Sequence, residues 1–577
     1  MAANDPTTEH TPTPWWLLGL CLIVSFAGIL DRDVWTPDEP REAAIVLDMS
    51  RTGNVIIPRL AGLPFVEKPP LSPAVAAGFA RLLGPVVGYT GAIRLSTAMW
   101  GLGCLAATFL LTRRLYDRNR ALLACVILST MVGFVENMHW IRVDAALAFF
   151  VIASVWCLVE VYLGGRRWYC LPAGLLGAGA FLSKGVIGPL LIGIGWLGLA
   201  IPWFAARRRP SADLFIVQHL LALLAFMVPA GAWMVMLRRQ GGPELWHQWF
   251  YENHFGRLTG SATALGHIRT NPFYYLRTLV LYTLPWLPAL APALAGTVRD
   301  LRARRAIGPA RVFLLTWSAG ALALLTISKT KRDMYLTPML PALAALCVDG
   351  WAGAPPRWLR SFANIWIGLC LLVLAASFLS PAWAGLLTAR APQKMVSALR
   401  DFGPRQVVAG AALVVALFVA FRRTGSLSTA FRLAGVTALL YIGIFAVPAK
   451  ALDAEKSLKA GVQAFAARIP AERRARIAGW NFNETARAMF YYYADWSVPL
   501  VEDPKRMAQI IRGGDGEYDS VIVNERPALE EVLAGIPFRI LAAADVGTTT
   551  HRRGLQWIAR AATPGEEGTN RGGGFEK

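Results

Sequence analysis

The sequence predicts a mainly α-helical, polytopic membrane bundle followed by a soluble α/β domain at the C-terminus. Three observations carry this. Of 577 residues, 55% are hydrophobic and only 16% charged, where a soluble globular chain usually carries about 25% charged residues. Apolar runs long enough to cross a bilayer, about 17–25 residues each, recur along most of the chain. Beyond residue 449 they stop, and short β-type runs alternate with helical patterns.

The apolar runs lie near 15–30, 92–112, 121–138, 143–163, 169–183, 186–206, 214–237, 276–297, 312–328, 334–350, 362–380, 405–421 and 431–448, which makes about thirteen transmembrane helices. The first is read as an uncleaved anchor, because no small-residue cleavage site follows it and more spans come after. The 21 Trp suit a chain with many membrane–water interfaces.

The net charge of +21 does not indicate nucleic acid. The Arg residues sit in short clusters between apolar runs: Arg113, Arg114, Arg118 and Arg120; Arg166 and Arg167; Arg207, Arg208 and Arg209; Arg299, Arg302, Arg304, Arg305 and Arg311; Arg357 and Arg360; Arg422 and Arg423. With the N-terminus in the cytoplasm, all of these fall in cytoplasmic loops, as the positive-inside rule requires. An odd number of spans then leaves the C-terminal domain outside, in the periplasm of a bacterial envelope. The seven Cys all lie in apolar runs with no metal-knuckle spacing, so no disulfide framework is expected.

The predicted domains are therefore a membrane domain over 1–448 and an α/β domain over 449–577. Three outside segments are long: 31–91, 238–275 and 449–577. In the last, Arg476–Trp480, Ser520–Asn524, Phe538–Asp545 and Leu555–Ala559 read as strands. Leu458–Arg468, Asn483–Tyr493, Pro504–Arg512 and Pro527–Ala534 read as helices. The Gly- and charge-rich tail after Pro564 reads as disordered.

The first outside segment holds the densest chemistry. Thr36-Pro37-Asp38-Glu39 has the form of a capping box with Pro at the first helical position, or Pro40 instead marks the first turn, which leaves the start open within one turn. Ala44, Ile45, Leu47 and Met49 make an apolar stripe, and Gly53 ends the element. This predicts a short amphipathic helix lying on the outer membrane surface, with Asp38 and Arg41 on one face. Acids at a helix start commonly face water and complement the helix dipole. The next stretch of chain gives them a larger role. Pro58, Pro64, Pro69 and Pro70 stiffen a segment that carries Glu67 and Lys68 side by side, which a plain surface loop does not need.

These motifs resemble a known family. Asp38-Glu39-x-Arg41, Pro58-Arg59-Leu60-x-Gly62 and Glu67-Lys68-Pro69-Pro70-Leu71 are similar to those of the lipid A aminoarabinosyltransferases, glycosyltransferase family 83. That family belongs to the GT-C membrane glycosyltransferases, near the protein mannosyltransferases. Phe250-Tyr251-Glu252-Asn253-His254-Phe255-Gly256-Arg257 resembles its Asn-Glu-His-x-x-Arg-Phe motif with Glu and Asn exchanged. Asn271-Pro272-Phe273-Tyr274-Tyr275 with Pro285-Trp286 matches the start of the next span. Ser328-Lys329-x-Lys331-x-x-x-Tyr335-Leu336-x-Pro338 resembles a further motif. The likeness covers about residues 15–350 in order and spacing. Pro40, Val66 and Ser72-Pro73 depart from the pattern and mark a divergent member.

The resemblance implies a GT-C fold and an inverting transfer of a sugar from a polyprenyl (undecaprenyl) phosphate to lipid A or a related glycolipid at the periplasmic face. Negative charge grows on the leaving phosphate as the bond breaks, so nearby cations stabilise the transition state. Candidates for holding the donor phosphate are Arg41, Lys68, Arg257, Lys329, Lys331 and Tyr335. The Lys329–Arg332 cluster lies in an outer loop, against the positive-inside rule, and that cost points to a use, although a cation at a span end often only snorkels. Asp38 matches the family's catalytic carboxylate and would accept the acceptor's proton or orient the acceptor. Asp144, at the outer start of the fourth span, is a second catalytic candidate beside its plainer role as an N-terminal helix charge. Glu39, Arg59, Glu67 and His254 are supporting candidates. Glu67 is also a candidate ligand for a divalent cation, with His254 as a second. No cofactor is otherwise required. Lys184, ending the fifth span, reads as snorkelling.

Two other functions fit less of the sequence. A GT-C enzyme acting on a protein or other glycan would share these motifs. A flippase or transporter would place ionisable groups at the bilayer midplane and show inverted repeats. Here the carboxylates gather at one face, and no repeat is seen.

Overall fold

The computed structural model describes residues 15–205, 212–256, 271–351, 355–388, 391, 393–421, 429–524, 532–545 and 554–561. Each of the thirteen apolar runs falls on helix. Among the described residues, seven helices are long and apolar enough to cross a membrane, and up to nine if each of two bent pairs is one span. The helices Trp15–Phe26 and Ile187–Ala205 are shorter or only partly described. The chain is thus a multi-pass membrane protein.

The two bends have local causes. The run at 121–138 is split into Arg118–Thr130 and Val132–His139, which meet at 65° because Met131 takes an extended conformation. The run at 276–297 is split after Tyr274–Thr283 by a turn of 101°. Pro285 there lacks an N–H and drives Leu284 out of the helical region. A third difference concerns 238–275, read as an outside loop. Residues 238–247 instead continue the helix Ala212–His247 through a non-helical Gly242, and a π-helical turn, Gln248–Gly256, comes next.

The short helix Glu39–Thr52 corrects the surface-helix expectation. It ends at Gly53, whose φ of 72° is left-handed and suits glycine. Its start, however, has no side-chain cap: the N-cap residue is Asp38, whose carboxylate is taken by Arg332. It does not float on the interface either. Residues on all its faces are buried, Glu42, Ala43, Val46 and Met49 among them, since it lies between the helix Leu71–Val87 and the helix Glu484–Ala494 of the C-terminal domain. A stripe that reads as membrane-facing is covered by protein.

After it, strands β1 (Arg59–Leu60) and β2 (Leu63–Pro64) form an antiparallel hairpin. The two loop residues, Ala61 and Gly62, have φ of 52° and 83°, the handedness a two-residue hairpin turn requires. The sequence did not announce this hairpin, because strands of two residues have no measurable periodicity.

The C-terminal domain is a five-stranded sheet in the order β4-β3-β5-β7-β6. Its strands are β3 (Ile477–Trp480), β4 (Leu500–Val501), β5 (Ser520–Asn524), β6 (Phe538–Asp545) and β7 (Gly554–Arg560). β3 pairs in parallel with β4 and β5; β7 pairs antiparallel with β5 and β6. Helices Lys459–Ala467, Glu484–Ala494 and Pro504–Arg512 cover it, the last two capped by the side chains of Asn483 and Asp503. Most of the expected helix at Pro527–Ala534 and the tail after Pro564 lie outside the described residues. All seven Cys are free thiols.

The domain sits on the first loop. Arg487 donates to the Leu60 carbonyl at 2.9 Å and Ser497 to the Ala61 carbonyl at 2.6 Å. Arg51 pairs with Asp495 at 2.5 Å. The loop is thereby clamped between sheet domain and helix bundle.

Candidate active site

One cavity of about 220 Å³ gathers most of the candidate residues. Its charged end is lined by Asp38, Arg41, Glu42, Glu67, Lys68, Arg142, Asp144, Lys184 and Arg332. That is five bases against four acids, an excess of one positive charge. Its other end is apolar: Leu147, Val186, Ile187, Leu190, Leu324 and Leu325. Of these, Val186 and Leu190 are exposed.

Local structure explains how the charged end assembles. Asp38, Arg41 and Glu42 are spaced to share one face of the helix start, and Arg41 lies 3.4 Å from Asp38. The β1–β2 hairpin then returns the chain so that Glu67 and Lys68 meet that face. Lys68 Nζ donates to Glu42 at 2.6 Å, and Arg41 lies 3.8 Å from Glu67. Arg41 also reaches Glu484 of the C-terminal domain at 2.5 Å. Asp144 starts the helix Asp144–Tyr162 and Lys184 ends the helix Cys170–Lys184. These neighbours run in opposite directions, so a helix-start acid and a helix-end base meet at one membrane face. Lys184 donates to Asp144 and lies 4.1 Å from the Tyr335 ring centre. The turn after it needs Gly185: a Cβ there would come within 2.6 Å of the His254 ring.

Asp38 is the most heavily paired acid. Arg332 donates to both its oxygens, at 2.8 and 2.6 Å. Arg142, held over the Trp140 ring, lies 3.5 Å away. Burial pushes the Asp38 carboxyl upward, but the Arg332 hydrogen bonds and the charges of Arg332, Arg142 and Arg41 outweigh it. The pKa therefore sits below the ordinary carboxylate value. Lys68 shows the same balance with opposite sign. Burial works against its ammonium, and the charges of Glu42 and Glu67 outweigh burial, so its pKa is raised. Both groups are ionised at neutral pH.

The remaining candidates divide between the cavity wall and positions away from it. Tyr335 and His254 line the cavity. Lys329 is exposed and does not line it. Lys331 is buried and donates to the Ser328 carbonyl instead. The adjacent Arg332 takes the position expected of these lysines. Its segment is anchored because Asp333 accepts from Tyr274 and Thr278, at 2.5 and 2.8 Å. Arg257 lies outside the described residues. Of the exchanged Glu252-Asn253 pair, Asn253 faces the cavity. Arg59 is on the hairpin, away from the cavity, where its charge acts on Asp48. Glu39 does not line the cavity. It is 0% exposed and accepts from Arg94 at 2.8 Å, Arg32 at 3.3 Å and the backbone N–H groups of Trp35 and Ile141 at 2.7 and 3.0 Å. It is the pin that fastens the loop to the bundle. Among the described residues, no group of three or more His, Cys, Asp or Glu is arranged to hold a metal ion.

The sequence by itself assigns no site role to Arg142, Lys184 or Glu42, and offers Arg332 only as one of the basic residues of the outer-loop cluster. Signals exist for some. Arg142 stands two residues before Asp144, Arg332 shares the charge excess of an outer loop, and Lys184 and Asp144 end adjacent antiparallel spans.

The chain is similar to known proteins in sequence and in fold. Residues 67–233 match the family model described as dolichyl-phosphate-mannose-protein mannosyltransferase. The undecaprenyl phosphate-alpha-4-amino-4-deoxy-L-arabinose arabinosyl transferase of Aeromonas salmonicida is 28% identical over 393 residues, 64% of this chain and 67% of that one. The enzyme of the same description from Pseudomonas aeruginosa is 29% identical over 381 residues, 63% and 64% of the two chains. In fold, the chain matches the crystal structure of ArnT from Cupriavidus metallidurans in the apo state with a TM-score of 0.70 and 19% identity, over 94% of this chain and 97% of that one. The form of ArnT bound to undecaprenyl phosphate matches with a TM-score of 0.69 and 20% identity, over the same shares. The likeness seen in the motifs is therefore shared by sequence and by fold.

Proposed function

We propose that this chain is a membrane glycosyltransferase of the aminoarabinosyltransferase-like GT-C type, moving a sugar from a polyprenyl phosphate donor to an envelope glycolipid. The names of its relatives give 4-amino-4-deoxy-L-arabinose as the sugar and undecaprenyl phosphate as the donor lipid; lipid A is the acceptor in this reading. One observation carries the reading: one cavity is lined both by a surplus of positive charge and by apolar side chains, among them the exposed Val186 and Leu190. A lipid phosphate fits that shape with its tail sideways in the bilayer and its headgroup among the cations.

In the transfer, an acceptor oxygen forms a bond to the anomeric carbon as the bond from that carbon to the phosphate oxygen breaks. The electron pair leaves on the phosphate, where Lys68, already cationic, stabilises it with Arg332 and Arg41 nearby. Asp38 is held anionic by three arginines and is a weak base in that state. It is better suited to orienting the acceptor and the arginines, and it can take a proton only as donor phosphate draws Arg332 away. An acceptor oxygen that arrives ionised, as on a phosphate, needs orientation alone.

The test is purified protein with labelled donor and lipid A, joined to mass spectrometry of lipid A from cells with and without the protein. The expected result is a mass increase of one aminopentose that depends on the protein; unchanged lipid A would sink the assignment. The reading places the N-terminus in the cytoplasm and the C-terminal domain in the periplasm of the inner membrane. A reporter fused after residue 449 should then be active only outside the cytoplasm, and a cytoplasmic signal would reverse the orientation. No cofactor is required in this reading, so transfer should persist in EDTA. Loss of activity restored by a divalent ion would instead put a cation at Glu67 and His254, both on the cavity wall.

A further inference from the structure

The segment between the helices Val132–His139 and Asp144–Tyr162 carries a further acid beside the active site. The helix Val132–His139 ends where Trp140 turns extended, and the chain folds back so that Arg142 reaches residues five and six places before it. Its Nη1 donates to Asn137 Oδ1 at 3.2 Å and to Glu136 Oε1 at 3.5 Å, while its Nη2 donates to Asp38 Oδ2 at 3.5 Å. Asn137 is buried and Glu136 half-buried. Arg142 lines the charged cavity and Glu136 does not. One guanidinium therefore joins an acid of the cavity wall to an acid outside it.

Arg142 is shared rather than locked. A charge-assisted hydrogen bond closes to about 2.7–2.9 Å, and Arg332 comes that near to Asp38, at 2.8 and 2.6 Å. Both carboxylate contacts of Arg142 stay at 3.5 Å instead, beyond the usual hydrogen-bond range. The Asn137 bond and the Trp140 ring, whose centre lies 4.3 Å from the guanidinium, hold it between the two acids. A ring face attracts a cation without fixing its place along the ring, so Arg142 can move toward either acid. With Glu136 neutral it would close on Asp38, fill the Oδ2 lone pair that Arg332 leaves open, and make the carboxylate a weaker base.

Other charged and titratable groups face Glu136: Asp333, Lys456 at the end of the helix Pro448–Lys456, and Tyr282. None of them lines the cavity. Asp38 faces Arg332, Arg142 and Arg41. Among the described residues, Arg142 is the one side chain in contact with both Glu136 and Asp38.

We propose that Glu136 is a positioning residue for the transfer: it holds Arg142 off Asp38, so that the carboxylate keeps a lone pair open to the incoming acceptor. This rests on the transferase reading. The experiment is a double-mutant cycle in the purified transfer assay. Glu136→Gln should lower kcat by about threefold or more, the low end for residues in one ion-pair network, and leave the donor KM and the unfolding midpoint in detergent in place. The same substitution made in Arg142→Gln should change nothing further, because the group it acts through is gone. Arg332 and Arg41 still fix Asp38 there, so turnover remains measurable. The pH profile adds a readout that a structural role would not move. In Arg332→Gln, where the acid limb lies near the ordinary carboxylate range, adding Glu136→Gln should lower the limb by about half a pH unit, since Arg142 then serves the Asp38 anion alone. A kcat that Glu136→Gln leaves unchanged, an equal loss with and without Arg142, or a limb that stays in place overturns the positioning role, while normal wild-type transfer keeps the transferase reading standing. No transfer by the wild type overturns both.

Discussion

Asp38→Asn should abolish transfer while leaving the protein folded. The amide keeps the shape of the carboxylate and removes the charge that fixes Arg332, Arg142 and Arg41 around the reacting centre. The loss expected when reacting groups are misplaced by about 1 Å is of the order of 10²-fold or more in kcat, read in the purified assay with donor saturating. Near-normal turnover would remove Asp38 from the mechanism. The pH profile offers a second reading of the same residue. The Asp38 pKa lies below its ordinary value, so wild-type activity should survive as pH falls through about 4 and fail only below. In Arg332→Gln the main partner is gone, the Asp38 pKa rises, and the acid limb should move up toward the ordinary carboxylate range. An acid limb that stays in place would mean that another group sets it.

The second large effect is on stability. Glu39→Ala should loosen the first loop from the bundle, because it leaves Arg32 and Arg94 buried without their shared carboxylate. Arg94 is 0% exposed and Arg32 is 7% exposed. Breaking a buried pair by removing one partner costs about 3–5 kcal/mol. The change should lower the unfolding midpoint in detergent and make the C-terminal domain easier to clip, since that domain rests on the loop. Glu39→Gln keeps the shape and part of the hydrogen bonding, and should cost less. Burial pushes the Glu39 carboxyl up, and the charges of Arg94 and Arg32 bring it net below its ordinary value. Its stabilising contribution is therefore full above the ordinary glutamate range and is lost as pH falls through the lower, folded value. If Glu39→Ala melts like the wild type, the clasp is not what holds the loop.

Both effects come from residues that stand next to each other, yet their roles differ, and the sequence alone could not separate them. Asp38 and Glu39 are two acids at a helix start. One turn of geometry sends Asp38 into the cavity and Glu39 into the bundle. The capping box read from Thr36 to Glu39 did not form, because the helix starts at Glu39 with Asp38 as its N-cap, while the Glu39 carboxylate accepts from Trp35 N–H, Arg94 and Arg32.

What the sequence determined by itself was local. Each apolar run became helix, because in a bilayer the backbone must satisfy its own hydrogen bonds. Ser520–Asn524 and Phe538–Asp545 became strands over the same residues. Gly53 ended its helix where left-handed backbone was needed. The one-face clustering of Asp38, Glu67, Lys68 and Asp144 came from their places in the first outside segment and, for Asp144, at the start of a span. What only the tertiary structure decided was the partner of each charge. Asp38 meets Arg332 across 294 residues of chain, Lys184 pairs with Asp144, and Arg332 faces the cavity in place of Lys329 and Lys331. Periodicity is a property of neighbouring residues and can be read in a line. The partner of a buried charge depends on which helices pack side by side and how far each is rotated, and one residue of rotation turns a side chain by about 100°.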